Sequence, residues 1–182
     1  MEGKIKHMND NTKMNKVVII INGRGGVGKD TLCSFVGKKF KTRVVSAITP
    51  IKKLAVDIGW DGTKDARSRK LLSELKRVVV AYNDYPTGYL TERYREFLAS
   101  DETILFMHIR EIDEIKKIRE VIPEEICATL LVTKEDVGSW GNPSDDMVDQ
   151  YEYEYYYDNT MPKDRSEVEF VRLIEQILRE KS

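Results

Sequence analysis

Residues 23–31, "GRGGVGKDT", combine closely spaced glycines, a lysine and two oxygen-bearing side chains. Gly23, Gly25, Gly26 and Gly28 let a backbone turn tightly enough for successive N–H groups to converge on one concavity. A helix opening at Lys29 would add its N-terminal partial positive charge, and the Lys29 ammonium would reach the β- and γ-phosphates of a nucleoside triphosphate. Arg24 and Val27 complete the loop, and Arg24 puts a second cation in it. Such a lysine is normally followed by Ser or Thr, whose hydroxyl goes to Mg²⁺. Here Asp30 follows, and Thr31 comes after it. A carboxylate is a hard oxygen donor able to bind Mg²⁺ directly or through water. The same charge would also stabilise a helix N-terminus with no metal present. Thr31 is the alternative hydroxyl donor.

Two further groups carry charge. In "HIRE", His108, Arg110 and Glu111 interrupt an apolar run. Arg110 could clamp a phosphate on an acceptor, and Glu111 could hold a metal-bound water or orient Arg110. The competing reading makes Glu111 a helix first-turn acid. In "WDGTKDARSRKLLSELKR", Lys64, Arg67, Arg69, Lys70, Lys76 and Arg77 concentrate positive charge. Helical spacing puts Arg69 and Lys76 near one face, with Leu71, Leu72 and Leu75 as core. Arg69 is the one chosen as a ligand for an acceptor phosphate. A third match, "TKED" at 133–136, follows the guanine-reading pattern of GTPases. No D-x-x-G switch accompanies it, and Asp30 replaces the residue GTPases need, so the match is read as accidental.

These groups need elements to hold them. Residues 17–22 are apolar, β-branched and ended by glycine, as in a strand buried on both faces. A helix over 29–40 follows, with Leu32, Phe35, Val36 and Phe40 on one side. Strands are expected at 42–47, 103–109 and 126–133, with a tyrosine-rich strand or helix–strand piece at 148–157. A helix covers 110–122. A last helix spans about 166–179, with Val168, Val171, Ile174, Ile177 and Leu178 as its buried stripe. Strands alternating with helices imply an α/β protein with a parallel sheet of about five strands and helices on both faces; with the loop at 23–31 after the first strand, the expected fold is a three-layer P-loop NTPase fold. Ligands of such sheets sit at the carboxyl ends of the strands. Residues of about 48–100 form a helical insertion suited to binding an acceptor, and about 134–150 a lid-like loop. Residues 1–16 read as a flexible leader, and 17–182 as one domain.

Bulk properties restrict the partners. The 182 residues are 41% hydrophobic and 34% charged, with a net charge of −1, which fits a soluble globular protein. No global field recruits nucleic acid or membrane, so an anionic ligand must be held locally. Cys33 and Cys127 lack C-x-x-C spacing and read as buried thiols of a cytoplasmic protein. A homodimer is left open.

Taken together, "GVGKDT", "SAITPIKKLAVDIGWDGTKDARSRKLLSEL" and "HIREIDE" resemble the deoxynucleoside monophosphate kinases, a branch of the P-loop nucleotide kinases, with the animal-type phosphomevalonate kinases as distant relatives. The resemblance implies transfer of the γ-phosphoryl of ATP, with Mg²⁺, to a phosphorylated acceptor. Lys29 and the loop amides would hold the donor phosphates, Asp30 or Thr31 the metal, and Arg110 with Arg69 the acceptor phosphate. Glu111 and His108 would line the acceptor side, although that family often has aspartate where His108 stands. The segment 134–146 contains no arginine, where nucleotide kinases carry an arginine-bearing lid. Arg24 and Lys134 are the nearest substitutes for a transition-state cation. Asn159, after the last strand, would border the adenine. A nucleotide-binding module or NTPase without transfer to a small molecule is the alternative.

Overall fold

The computed structural model describes residues 16–135, 137 and 147–181. Five parallel strands form one sheet: β1 (Val17–Asn22), β2 (Thr42–Ser46), β3 (Ile104–His108), β4 (Cys127–Thr133) and β5 (Tyr155–Asp158), in the order β2-β3-β1-β4-β5. Among the described residues, six α-helices accompany them: α1 (Lys29–Gly37), α2 (Thr49–Asp57), α3 (Ala66–Asn83), α4 (Tyr85–Leu98), α5 (Ile112–Val121) and α6 (Lys163–Glu180).

β1 shows why the sheet is central. Its side chains alternate between the two faces, and both faces are covered. Val17, Ile19 and Ile21 pack with Leu32, Phe35 and Val36 of α1 and with Phe170, Ile174 and Ile177 of α6. Val18 and Ile20 pack with Leu90 and Phe97 of α4 and with Ile115 and Ile118 of α5. The result is three layers, with both cysteines buried between them. This is the α/β P-loop architecture expected from the alternation.

Of the two readings of 148–157, the helix–strand piece holds: a 3-10 turn occupies Val148–Gln150 and β5 begins at Tyr155. Two other expectations need correction. In α6, Val168 is half exposed, and the helix starts earlier, at Lys163, so that Ser166 and Phe170 take the inward positions. Lys16, assigned to the leader, is anchored: its ammonium donates to the carbonyls of Phe97, Ser100 and Glu102 at 2.7–2.8 Å. The Phe97 carbonyl lies in the last turn of α4, where helix groups lack intrahelical partners, and the other two follow the helix. Residues 1–15 lie outside the described ones.

The segment 48–100 divides. α4 belongs to the layer covering the sheet, since Leu90, Tyr94 and Phe97 are buried there. α3 buries only Ser68, and its leucines are half-buried. The "WDGTKD" element forms a turn and a cap. Asp61 accepts from the Thr63 amide at 2.9 Å, and Asp65 accepts from the Ser68 amide at 2.7 Å, starting α3.

Candidate functional site

Strand register brings the two charged sequence groups together. β1 pairs with β3, with Ile21 opposite His108, so the loop leaving β1 and the segment leaving β3 start side by side at the carboxyl edge of the sheet. Such edges carry the ligand sites of parallel α/β sheets.

The loop conforms to its glycines. Gly23, Gly26 and Gly28 have φ of 142°, 91° and 92°. At Gly23 a Cβ would lie 2.3 Å from the Val132 carbonyl oxygen, and at Gly28 one would lie 2.6 Å from the Asn159 amide nitrogen. Neither position has room for a side chain. Lys29 opens α1, and its ammonium bonds back to the Gly23 carbonyl at 2.5 Å and the Arg24 carbonyl at 3.0 Å. These contacts hold a cation over the loop, where an anion would sit. Arg24 pairs with Asp149 at 2.8 Å. A pocket beside this pair is lined by Val27, Val132, Thr133, Lys134 and Val137.

Asp30 stands in the first turn of α1 with its side chain 95% exposed. Thr31 is also exposed. Among the described residues, no group of three or more His, Cys, Asp or Glu could hold a metal by itself. Asp30 and Thr31 supply hard oxygens beside a phosphate cradle. That donor set fits Mg²⁺, which takes one or two protein oxygens and completes its shell with phosphates and water.

His108 lies behind Asp30. Its Nδ1 is 3.6 Å from Asp30 Oδ1, and its Nε2 is 3.6 Å from Cys33 Sγ. Burial, reinforced by Lys29 and Arg110 and opposed by Asp30, lowers its pKa to about 4. The ring is therefore neutral near pH 7. Burial raises the Cys33 pKa far above its usual value, so the thiol stays protonated.

Glu111, at the N-cap of α5, pairs with Lys76 of α3. Lys76 also meets Glu114 at 2.9 Å, and Glu114 is 3% exposed with one carboxylate oxygen lacking a partner. Burial and the adjacent Glu111 raise the Glu114 pKa to about 7. Burial also disfavours ionisation of Glu111, but the Lys76 charge and hydrogen bond outweigh it and lower its pKa. The spacing set Lys76 near Arg69 without choosing it as a ligand, and the structure turns its ammonium to α5. It is consumed by two glutamates, because its helix position points it at α5. Arg69 is exposed on α3.

Asn159 stands against the loop. Its Nδ2 donates to the Val27 carbonyl at 2.8 Å, and its Oδ1 accepts from Ser166. The amide braces the phosphate loop from β5. Residue 136 of "TKED" and residues 138–146 of the lid-like loop lie outside the described residues.

One residue was missed. Asn22, fully buried at the end of β1, accepts from the Gly23 amide at 2.7 Å. It donates to the Arg110 carbonyl at 3.1 Å and to the Tyr153 hydroxyl at 2.7 Å. The available signal was a polar side chain ending an otherwise apolar strand.

No family model matches the chain, and no curated protein does either. Solved structures do match. TT1252 from Thermus thermophilus aligns at TM-score 0.54 and 15% identity, covering 92% of this chain and 99% of that one. A sugar kinase from Janibacter sp. HTCC2649 aligns at 0.48 and 13%, covering 91% and 95%. A shikimate kinase from Bacteroides thetaiotaomicron aligns at 0.48 and 13%, covering 90% and 98%. At these identities the likeness is one of fold.

Proposed function

We propose that this chain transfers the γ-phosphoryl group of ATP to the phosphate of a small-molecule acceptor, a deoxynucleoside monophosphate. The observation that carries the reading is the β1–β3 register. It sets a phosphate-cradling loop beside a strand end bearing Arg110, so donor and acceptor phosphates would meet over one sheet edge. A loop alone would serve an NTPase equally well; the adjacent acceptor-side cation favours transfer.

In this reading an acceptor phosphate oxygen attacks the γ-phosphorus, the bond from phosphorus to the bridging oxygen breaks, and ADP leaves. The nucleophile is already an anion, so positioning and charge neutralisation supply most of the rate. The Lys29 ammonium exchanges the Gly23 and Arg24 carbonyls for phosphate oxygens. Asp30 and Thr31 would hold Mg²⁺, which when bound neutralises charge on the donor phosphates. Neutral His108, 3.6 Å from the Asp30 carboxylate, leaves that charge unopposed for the metal. Arg110, with Arg69, grips the acceptor phosphate. Arg24 would act as a transition-state cation by leaving Asp149.

An ADP-release assay with a panel of deoxynucleoside monophosphates tests this. Acceptor-dependent ADP formation is expected, with a loss of about 10²-fold or more in Lys29→Ala. ATP binding without turnover on any acceptor would overturn the reading.

A further inference from the structure

We propose that Asn22 is a positioning residue that holds the phosphate loop and the acceptor-side strand end at a fixed separation, with Tyr153 completing its hydrogen bonds. This rests on the phosphotransferase reading above.

The amide of Asn22 has every hydrogen-bonding group engaged by protein in a direction that admits one orientation. Oδ1 receives the Gly23 N–H, while the two Nδ2 hydrogens go to the Arg110 carbonyl and the Tyr153 hydroxyl. Reversing the amide would set Oδ1 against the Arg110 carbonyl oxygen and Nδ2 against the Gly23 N–H, which is repulsive at both ends. Tyr153 passes its own proton to the Val148 carbonyl at 3.0 Å. A single planar group therefore ties the first residue of the donor loop, the backbone of the proposed acceptor arginine, and the segment just before β5.

The rest of β1 is apolar and buried, so a sixth aliphatic residue would have served the core without the desolvation cost of an amide. What the amide adds is a rigid span between two backbones that the sheet does not connect. The last β1–β3 pair is Ile21 with His108, and beyond it both chains leave the ladder. Without the Asn22 link, Gly23 would still rest against β4, but the hydrogen bond that ties this end of β1 to the Arg110 backbone would be lost. Displacements of about 1 Å between reacting groups can cost about 10²-fold in rate.

The test uses the full chain. Tyr153→Phe keeps the ring packing and removes one hydrogen bond. Asn22→Ala removes the whole link. For Tyr153→Phe, binding of Mg·AMP-PNP is expected to stay within about twofold of wild type. Its kcat should fall about tenfold, with a raised acceptor KM. Because Tyr153 acts through Asn22, adding Tyr153→Phe to Asn22→Ala should lower kcat no further. Equal losses in AMP-PNP affinity and kcat, an unchanged kcat, or additive losses in the double variant would overturn the proposal.

Hydrogen exchange supplies a readout that needs no acceptor. Mg·AMP-PNP should protect residues 23–30 and also 109–112 in the wild type, but only 23–30 in Tyr153→Phe. Protection confined to the loop in the wild type would overturn the link. If no monophosphate is turned over but protection spreads as expected, the acceptor assignment fails and the coupling stands. If AMP-PNP does not bind at all, both fall.

Discussion

Single residues at this site are best understood through what surrounds their charge. Asp30 lies in the first turn of a helix, 95% exposed, with a neutral imidazole behind it and a lysine before it. That exposure leaves the carboxylate open to a cation carried in with the donor phosphates. If that is its role, Asp30→Ala should weaken binding of Mg·ATP by about tenfold or more. Metal-free ATP should be little affected, or bind better for losing a like charge. Titration calorimetry with and without Mg²⁺ separates the two, and equal losses would mean that Asp30 only caps the helix. His108 stands where the resembled family often has aspartate. Buried beside Lys29 and Arg110, it contributes no charge near pH 7, so the site carries one anion fewer than the family pattern implies.

At the scale of elements, the phosphate loop is held from three sides. β1 ends in Asn22, Asn159 after β5 bonds the Val27 carbonyl, and the Val132 carbonyl of β4 closes against Gly23. The last contact leaves no volume for a methyl group. Gly23→Ala places its Cβ within 2.3 Å of a backbone oxygen at a φ of 142°, so loop or strand must move. A loss of at least about 2 kcal/mol is expected, read from the denaturant midpoint, together with weakened nucleotide binding. Retention of both would show that the loop is looser than its contacts imply. The loop was readable in sequence because glycines, lysine and a following amphipathic stretch are local signals. The bracing of Asn159 and Asn22 was not. Each depends on partners far along the chain, 132 residues away for Val27 and 131 for Tyr153.

On the scale of the whole molecule, α3 joins the body partly through charge. It buries only Ser68, yet Lys76 reaches Glu111 and Glu114 on α5, and Lys117 of α5 reaches Asp84 at the end of α3 at 2.7 Å. Glu114 titrates at about 7 in the folded protein against 4.5 ordinarily. The folded state therefore binds more protons than the unfolded one across that window, and stability from this group is lost as pH rises from 4.5 through about 7. Glu114→Gln keeps the shape and removes the titration. Its stability relative to wild type should rise between about pH 5 and pH 8, with Lys76 still satisfied by Glu111. Urea unfolding of both proteins at the two pH values measures this, and a constant difference would mean that Glu114 is not held protonated.

The sequence by itself determined the layered α/β order, the phosphate loop and the charged end of β3. Each of these is written in neighbouring residues: β-branched runs, glycine spacing and helical periodicity act over a few positions. Tertiary structure decided which charges are available and which are spent. Lys76 was one charge of a basic cluster in the sequence and became a half-buried counter-ion to two glutamates. Asn159, read in the sequence as bordering the adenine, was found to brace the loop as well. Asn22 passed as the end of a strand and proved to touch three separate segments. A side chain's type states what it can bond to, but its partner is set by register and packing between distant segments, and those appear only once the sheet has closed.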